Sequence, residues 1–196
     1  MPTARIRAIA VRRQALPAAL RWLAPFLLAA ALYASPWRPA LAAPALNEAA
    51  PAFFAQLLDG SVVDTASTRG KVVLLHFWAT WCQPCREELP ALEQYYRAHH
   101  RDGLEVVAIS IEDADALAKV KSFTKDYSFP VAMIEASQVE AYGRVNFLPL
   151  SFLIDRHGIV RKSAWTGTEK ITAASLDKFV SALLEEPSQR IAANDR

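Results

Sequence analysis

The segment Lys71–Trp78, KVVLLHFW, constrains this chain more than any other. Its residues are β-branched, aromatic or aliphatic almost without a break. A strand of that kind has to be covered on both faces, so the chain needs a sheet with other layers packed on it. The strand also runs straight into Trp81-Cys82-Gln83-Pro84-Cys85. From Cys82 to about His100 the spacing of Leu89, Leu92 and Tyr96 reads as a helix. Pro90 lies inside it and is expected to kink it. A buried strand thus ends where a helix begins, with both cysteines of the chain at the junction.

The rest of the chain fits an alternation of strands and helices. Phe53–Leu57 and Ser61–Val63 flank an Asp59-Gly60 turn and suggest a hairpin. Glu105–Ile111 is a second buried strand. Asp113–Tyr127 reads as an amphipathic helix with Leu117, Val120 and Phe123 inward. Phe129–Ile134 is expected as a short strand and Gln138–Arg144 as a short helix. Leu150–Ile154 and Val160–Ala164 are adjacent strands, and Thr172–Glu185 is a closing helix. Two neighbouring strands late in an otherwise alternating order make the sheet mixed, in an α/β architecture.

Residues 1–42 carry six arginines and no acid. A basic stretch, an apolar run from Trp22 to Ala34 and the small-residue pattern Ala40-Leu41-Ala42 have the order of a secretory signal peptide, with cleavage expected after Ala42 or Ala43. The competing expectation is an uncleaved anchor formed by residues 22–34. Thirteen residues span only about 20 Å as a helix, against a hydrocarbon core of about 30 Å. The Arg12-Arg13 pair is a loose match to a twin-arginine signal. Both main readings put the folded part in a periplasmic or otherwise extracytoplasmic, oxidising compartment. Residues 43–51 read as a flexible lead-in, 52–185 as the domain and 186–196 as a polar tail.

The full chain has 22 basic and 20 acidic residues, a net charge of +2. Removing the six leader arginines leaves 16 basic against 20 acidic residues, so the exported part carries −4. That disfavours nucleic acid as a partner. Two cysteines cannot build a multi-bridge scaffold or a four-cysteine zinc site.

The cysteine pair is where chemistry is expected. Cys82 falls at a helix N-terminus, where free N–H groups and the helix dipole favour a thiolate. An ordinary thiol, with pKa about 8.5, is only roughly 3% thiolate at pH 7. Cys85 lies one turn further in, and Pro84 suits a first turn. A structural disulfide is the plainer alternative, but so short a loop stabilises a fold little. A metal clip would want further soft ligands.

At this point the chain resembles the thioredoxin superfamily, most closely its TlpA/ResA-like branch of thiol–disulfide oxidoreductases. The resemblance rests on VVLLHFWATWCQPCREELPALEQYY, LEVVAISIED, FPVAMI and YGRVNFLPLSFLIDRHGIV, and covers about residues 52–184. It implies a thioredoxin-like fold: a central mixed β-sheet flanked by helices, with an N-terminal hairpin at Phe53–Val63 and a central insertion at about Leu117–Tyr142. It implies a redox-active disulfide between Cys82, the nucleophile, and Cys85, the resolving thiol. Glu88 falls on the acidic residue near the buried cysteine, and Pro149 on the cis-proline facing the dithiol. Trp81, Leu148 and Pro149 are the substrate-binding candidates. Three positions depart from the family pattern: His76, Leu148 and Leu150. The apolar pair around Pro149 suggests an apolar substrate segment.

His76 lies in the apolar strand under the site. It is either a hydrogen-bonded core imidazole or a residue that tunes thiol pKa. Glu88 shares a helix face with Cys85, so a part-buried carboxylate there can take its proton. His99 and His100 sit at a helix end and His157 in a turn, where a dipole contact and solvent explain them.

The expectation is therefore an extracytoplasmic reductant of disulfides in exported proteins, serving cytochrome c maturation, copper-site assembly or antioxidant defence, and regenerated by a DsbD- or CcdA-type membrane donor. No cofactor or metal is expected, and the chain is expected to be a monomer. A thiol oxidase or isomerase is the first alternative. A copper-binding assembly chaperone is the second, though the two-residue cysteine spacing argues against it.

Overall fold

The computed structural model describes residues 42–166 and 169–187. The expected leader, with its apolar run 22–34, lies outside them, as does most of the expected tail. Among the described residues no helix is long and apolar enough to cross a membrane.

Seven strands form one mixed sheet in the order β2-β1-β5-β4-β3-β6-β7. They are β1 (Phe54–Leu57), β2 (Val62–Asp64), β3 (Val72–Trp78), β4 (Leu104–Ser110), β5 (Val131–Gln138), β6 (Leu150–Ile154) and β7 (Val160–Thr166). The centre is parallel: Val72 of β3 stands opposite Leu104 of β4, and Trp78 opposite Ser110. β6 then joins β3 antiparallel, with Phe77 opposite Leu150. The β1–β2 hairpin attaches to β5 on the other side. Among the described residues the α-helices are α1 (Gln83–His99), α2 (Leu117–Thr124), α3 (Ala173–Leu176) and α4 (Ala182–Glu185), the last two joined through a π-helical segment, Asp177–Ser181.

Every residue of β3 and β4 is buried, as their unbroken apolarity requires. Alternation along β3 splits the core in two. Val72, Leu74 and Trp78 face Leu89 and Leu92 of α1 and, from the C-terminal helical segments, Leu176 and Val180. Val73, Leu75 and Phe77 face the other way, into a layer with Phe53, Tyr142 and Phe152. Tyr142 closes that layer by donating its hydroxyl to Pro51 O at 2.8 Å.

Several boundaries differ from those expected. α1 begins at Gln83, because Cys82 serves as its N-cap. It runs on through Pro90, whose missing N–H removes one bond from the ladder. β5 continues to Gln138, past the expected end at Ile134, and only Glu140–Tyr142 is helical, as a 3₁₀ turn. Pairing with β1, where Phe54 meets Gln138, gives that polar stretch ladder partners that its composition does not announce. The expected helix Asp113–Tyr127 divides into a 3₁₀ turn, Ala114–Ala116, and α2. Residues expected as a flexible lead-in lie along the start of β7: Asn47 N–H donates to Val160 O and Val160 N–H to Glu48 O.

Arg156, in the turn after β6, ties distant segments together. Its guanidinium donates to Gly70 O at 2.8 Å, Asp102 O at 2.6 Å, Leu183 O at 3.3 Å and Leu184 O at 2.8 Å. Those carbonyls end three different segments, and charge-assisted bonds of this kind are the stronger ones. Gly103 lies against it, at φ 96°, where a side chain's Cβ would stand 2.7 Å from Arg156 Nη1. Arg156→Ala is expected to lower stability by about 2–4 kcal/mol, because part-buried carbonyls lose their donors. Arg156→Lys should recover only part of that, since one ammonium cannot reach all four carbonyls. Urea unfolding at fixed pH checks both.

Candidate active site

The end of β3 delivers the chain into a tight loop, Ala79–Cys82, closed by Cys82 N–H donating to Ala79 O at 3.1 Å. At the root of the loop, Ile111 N–H donates to Trp78 O at 3.0 Å. Cys82 then caps α1, its sulfur accepting the Cys85 N–H at 3.2 Å. Helices leave their first N–H groups without internal partners, so a sulfur placed there is set beside donors and the positive end of the helix.

Cys82 and Cys85 form a disulfide, S–S 2.04 Å. Both are buried, and Cys85 completely so. Trp81, next to Cys82, is 63% exposed. The peptide bond Leu148–Pro149 is cis. It lies at the head of β6, beside the end of β3, because Leu150 stands opposite Phe77. Pro149 is buried, and Leu148 is partly buried against both core layers.

The apolar pair expected around Pro149 needs correcting. Leu150 is buried in the second core layer, so its side chain is not on the surface beside Pro149. The exposed apolar side chain of this segment is Phe147, at 68%. Trp81 and Phe147 are the two most exposed of the large hydrophobic side chains among the described residues. One adjoins Cys82 and the other lies two residues before the cis-proline. The run Asn146-Phe147-Leu148-Pro149 carries the signal for Phe147, but only the backbone path separates an inward Leu150 from an outward Phe147.

Glu88 is 1% exposed. Its Oε1 accepts the Ile171 N–H at 3.0 Å, which joins α1 to the start of α3. Its Oε2 is buried without a hydrogen-bond partner. Burial pushes this carboxyl up to about 7, against the opposing pull of the Ile171 N–H and the Lys170 charge. Glu87, one residue earlier, is exposed and pairs with Lys170 at 2.9 Å.

His76 sits in the middle of β3, fully buried. Its Nδ1 lies 2.9 Å from Ser151 Oγ on β6, and its Nε2 has no partner. Burial holds the imidazole down to about 3, so the ring is neutral at pH 7. His157 lies in the turn after β6, at the end of that strand remote from Pro149. His100 Nδ1 lies 3.3 Å from Tyr96 O at the end of α1, as the dipole reading expects. Among the described residues no group of three or more His, Cys, Asp or Glu is placed to hold a metal ion.

A dithiol so placed is suited to disulfide exchange. One sulfur is at the loop, next to an exposed aromatic side chain; the other is beneath it, on the helix face of a carboxyl held near neutrality.

Comparison with known proteins agrees with this chemistry. The family model described as the AhpC/TSA family matches residues 46–163. A relative from Bacillus cereus, thiol–disulfide oxidoreductase ResA, is 35% identical over 137 residues, covering 68% of this chain and 78% of the relative. The thioredoxin-like protein YneN of Bacillus subtilis is 35% identical over 135 residues, with 67% and 78% covered. A solved thiol:disulfide interchange protein of the thioredoxin family from Chlorobium tepidum TLS superposes with a TM-score of 0.62 at 31% identity, over 72% of this chain and 99% of its own.

Proposed function

This chain belongs to the AhpC/TSA family and is a thioredoxin-like thiol–disulfide oxidoreductase; from that premise we propose that it works outside the cytoplasm as a dithiol reductant of disulfides in exported proteins. The observation that carries the reading is the placement of its only two cysteines, bonded at the head of α1 with Glu88 buried three residues beyond Cys85.

The reaction begins from the reduced pair. Cys82 thiolate attacks one sulfur of the substrate disulfide, forming a mixed disulfide and expelling the other substrate sulfur as a thiolate, which takes up a proton. Cys85 then loses its proton to the Glu88 carboxylate, through a water, and attacks Cys82 Sγ. The substrate's second thiolate leaves, and the Cys82–Cys85 bond forms. Two electrons pass from the dithiol to the substrate. Trp81 and Phe147 offer apolar contacts to the residues around the substrate cysteine, together with the partly buried Leu148 and the cis-Pro149 backbone. His76, neutral and bonded toward Ser151, adds no charge beneath the dithiol at pH 7.

Regeneration calls for a donor that carries electrons across the membrane, of the DsbD or CcdA type. Cytochrome c maturation and copper-site assembly both present exported cysteine pairs that must be kept reduced, and either would use this chemistry. The amino-terminal segment supports export, either as a cleaved signal or as an anchor in the inner membrane.

A trap tests the reading. The full chain carrying Cys85→Ser, expressed with its own leader, should accumulate mixed disulfides through Cys82 that a reducing agent releases. The captured proteins then identify the substrate. No adduct above that of a Cys82→Ser, Cys85→Ser control would sink the mechanism. The direction of electron flow has its own check. Equilibration with glutathione should place the potential nearer thioredoxin's value of about −270 mV than the roughly −120 mV of a strong periplasmic oxidant. The opposite result would make the chain an oxidase or isomerase.

A further inference from the structure

A second buried carboxylate reaches the nucleophile's loop from another element. Glu112 follows the end of β4, with its side chain 7% exposed. Its Oε1 accepts the Thr80 hydroxyl at 2.6 Å, and its Oε2 accepts the Thr80 backbone N–H at 2.7 Å. Ser110 Oγ donates to the same Oε2 at 3.3 Å. Thr80 is itself buried and lies two residues before Cys82. Both donors of one residue are thus held by the two oxygens of one carboxylate, which fixes that residue in position and orientation. The chain between Thr80 and Cys82 spans at most about 7 Å, so whatever holds Thr80 also places Cys82.

The same carboxylate carries charge. A negative group bonded to Thr80, two residues from Cys82, opposes a second negative charge on Cys82 Sγ. Other charged groups surround the loop. Lys119, from α2, has its Nζ 3.7 Å from Glu112 Oε1, but its side chain is 62% exposed, so water screens much of its effect. Arg86, from α1, lies over the Phe123 ring. Glu88 adds a carboxyl from α1, and His76 beneath is neutral. Lys119 therefore offsets only part of the Glu112 charge.

We infer that Glu112 is a positioning residue for the dithiol, setting Trp81-Cys82 through Thr80 and, by its charge, biasing the pair toward giving up electrons. A disfavoured thiolate makes the reduced form less stable relative to the disulfide, and hence a better donor. The inference rests on the dithiol-reductant reading and names the residue that gives it a direction.

The test separates placement from charge. Glu112→Gln keeps the shape and removes the charge. At a pH below the Cys82 midpoint, alkylation of reduced Cys82 by iodoacetamide is expected to speed up about three- to tenfold. Above that midpoint, where the reduced pair is a thiolate, the equilibrium constant against glutathione should shift toward the dithiol by the same factor, about 14 to 30 mV less negative for a two-electron couple. Thr80→Val keeps the charge but loses the hydroxyl bond. It should leave the alkylation midpoint in place while slowing reduction of a protein disulfide severalfold, and Thr80→Ser should restore the rate. If Glu112→Gln does not fold, Lys119→Gln reads the same field with the opposite sign: slower alkylation and a more negative potential. A Glu112→Gln protein that melts earlier but keeps the wild-type alkylation profile and potential overturns the inference, as does a Lys119→Gln protein whose alkylation speeds up or whose potential rises. The alkylation and glutathione measurements need no protein substrate, so an empty Cys85→Ser trap counts against the reductant reading and not against this one.

Discussion

Cys82→Ser is expected to remove turnover with a protein disulfide altogether, a loss on the order of a thousandfold or more, because no other group can supply the attacking thiolate. Cys85→Ser is expected to behave differently. It should react once, at close to the wild-type first-step rate, and then stall as a mixed disulfide. The asymmetry follows from position. Cys82 caps α1 in the loop next to exposed Trp81, whereas Cys85 is fully enclosed one turn deeper. Stopped-flow reduction of a fluorescent disulfide substrate separates the two cases: no burst for Cys82→Ser, and a burst of one equivalent without steady turnover for Cys85→Ser. Steady turnover by Cys85→Ser would reverse the assigned roles.

Much of this site is legible in the sequence because its parts are local. A strand too apolar to leave either face wet must sit mid-sheet, and Val72–Trp78 pairs with β4 on one side and β6 on the other. A helix that starts two residues past Trp81 must have Cys82 at its head, and a spacing of three residues puts Glu88 on the helix face of Cys85. The parts that escape are those made by distant segments. Glu112 sits 32 positions from Thr80, and an acid after a strand reads equally well as the first turn of the next helix. Leu150 and Phe147 are alike in composition; only the register of β6 against Phe77 sends one inward. Arg156 looks like a solvated turn residue until the fold brings Gly70, Asp102 and the C-terminal segment around it. β5 outruns its apolar stretch because β1 supplies backbone partners for Ser137 and Gln138. In each case a tertiary hydrogen bond decides what local hydrophobicity leaves open.

Glu88→Gln is the other substitution with a large expected effect, and it should move stability and rate in opposite directions. In the oxidised protein the Glu88 carboxyl titrates near 7 rather than its ordinary 4.5, chiefly because it is buried. Between those values the folded chain holds a proton that the unfolded chain has released. Stability therefore falls as pH rises through that window, by roughly 3 kcal/mol if the whole shift is realised. Glutamine places no charge in the core, so Glu88→Gln should unfold at higher denaturant than wild type at pH 8 and lose most of that advantage by pH 4.5. The resolving step should respond the other way. A base in that position is active once ionised, so wild-type release of the mixed disulfide should accelerate across pH 7. In Glu88→Gln the inflection should vanish, and release at pH 7.5 should slow by on the order of a hundredfold. An inflection that persists near pH 7 in the variant would assign it to a thiol instead, and leave Glu88 as a buried acid that links α1 to Ile171 without handling the Cys85 proton.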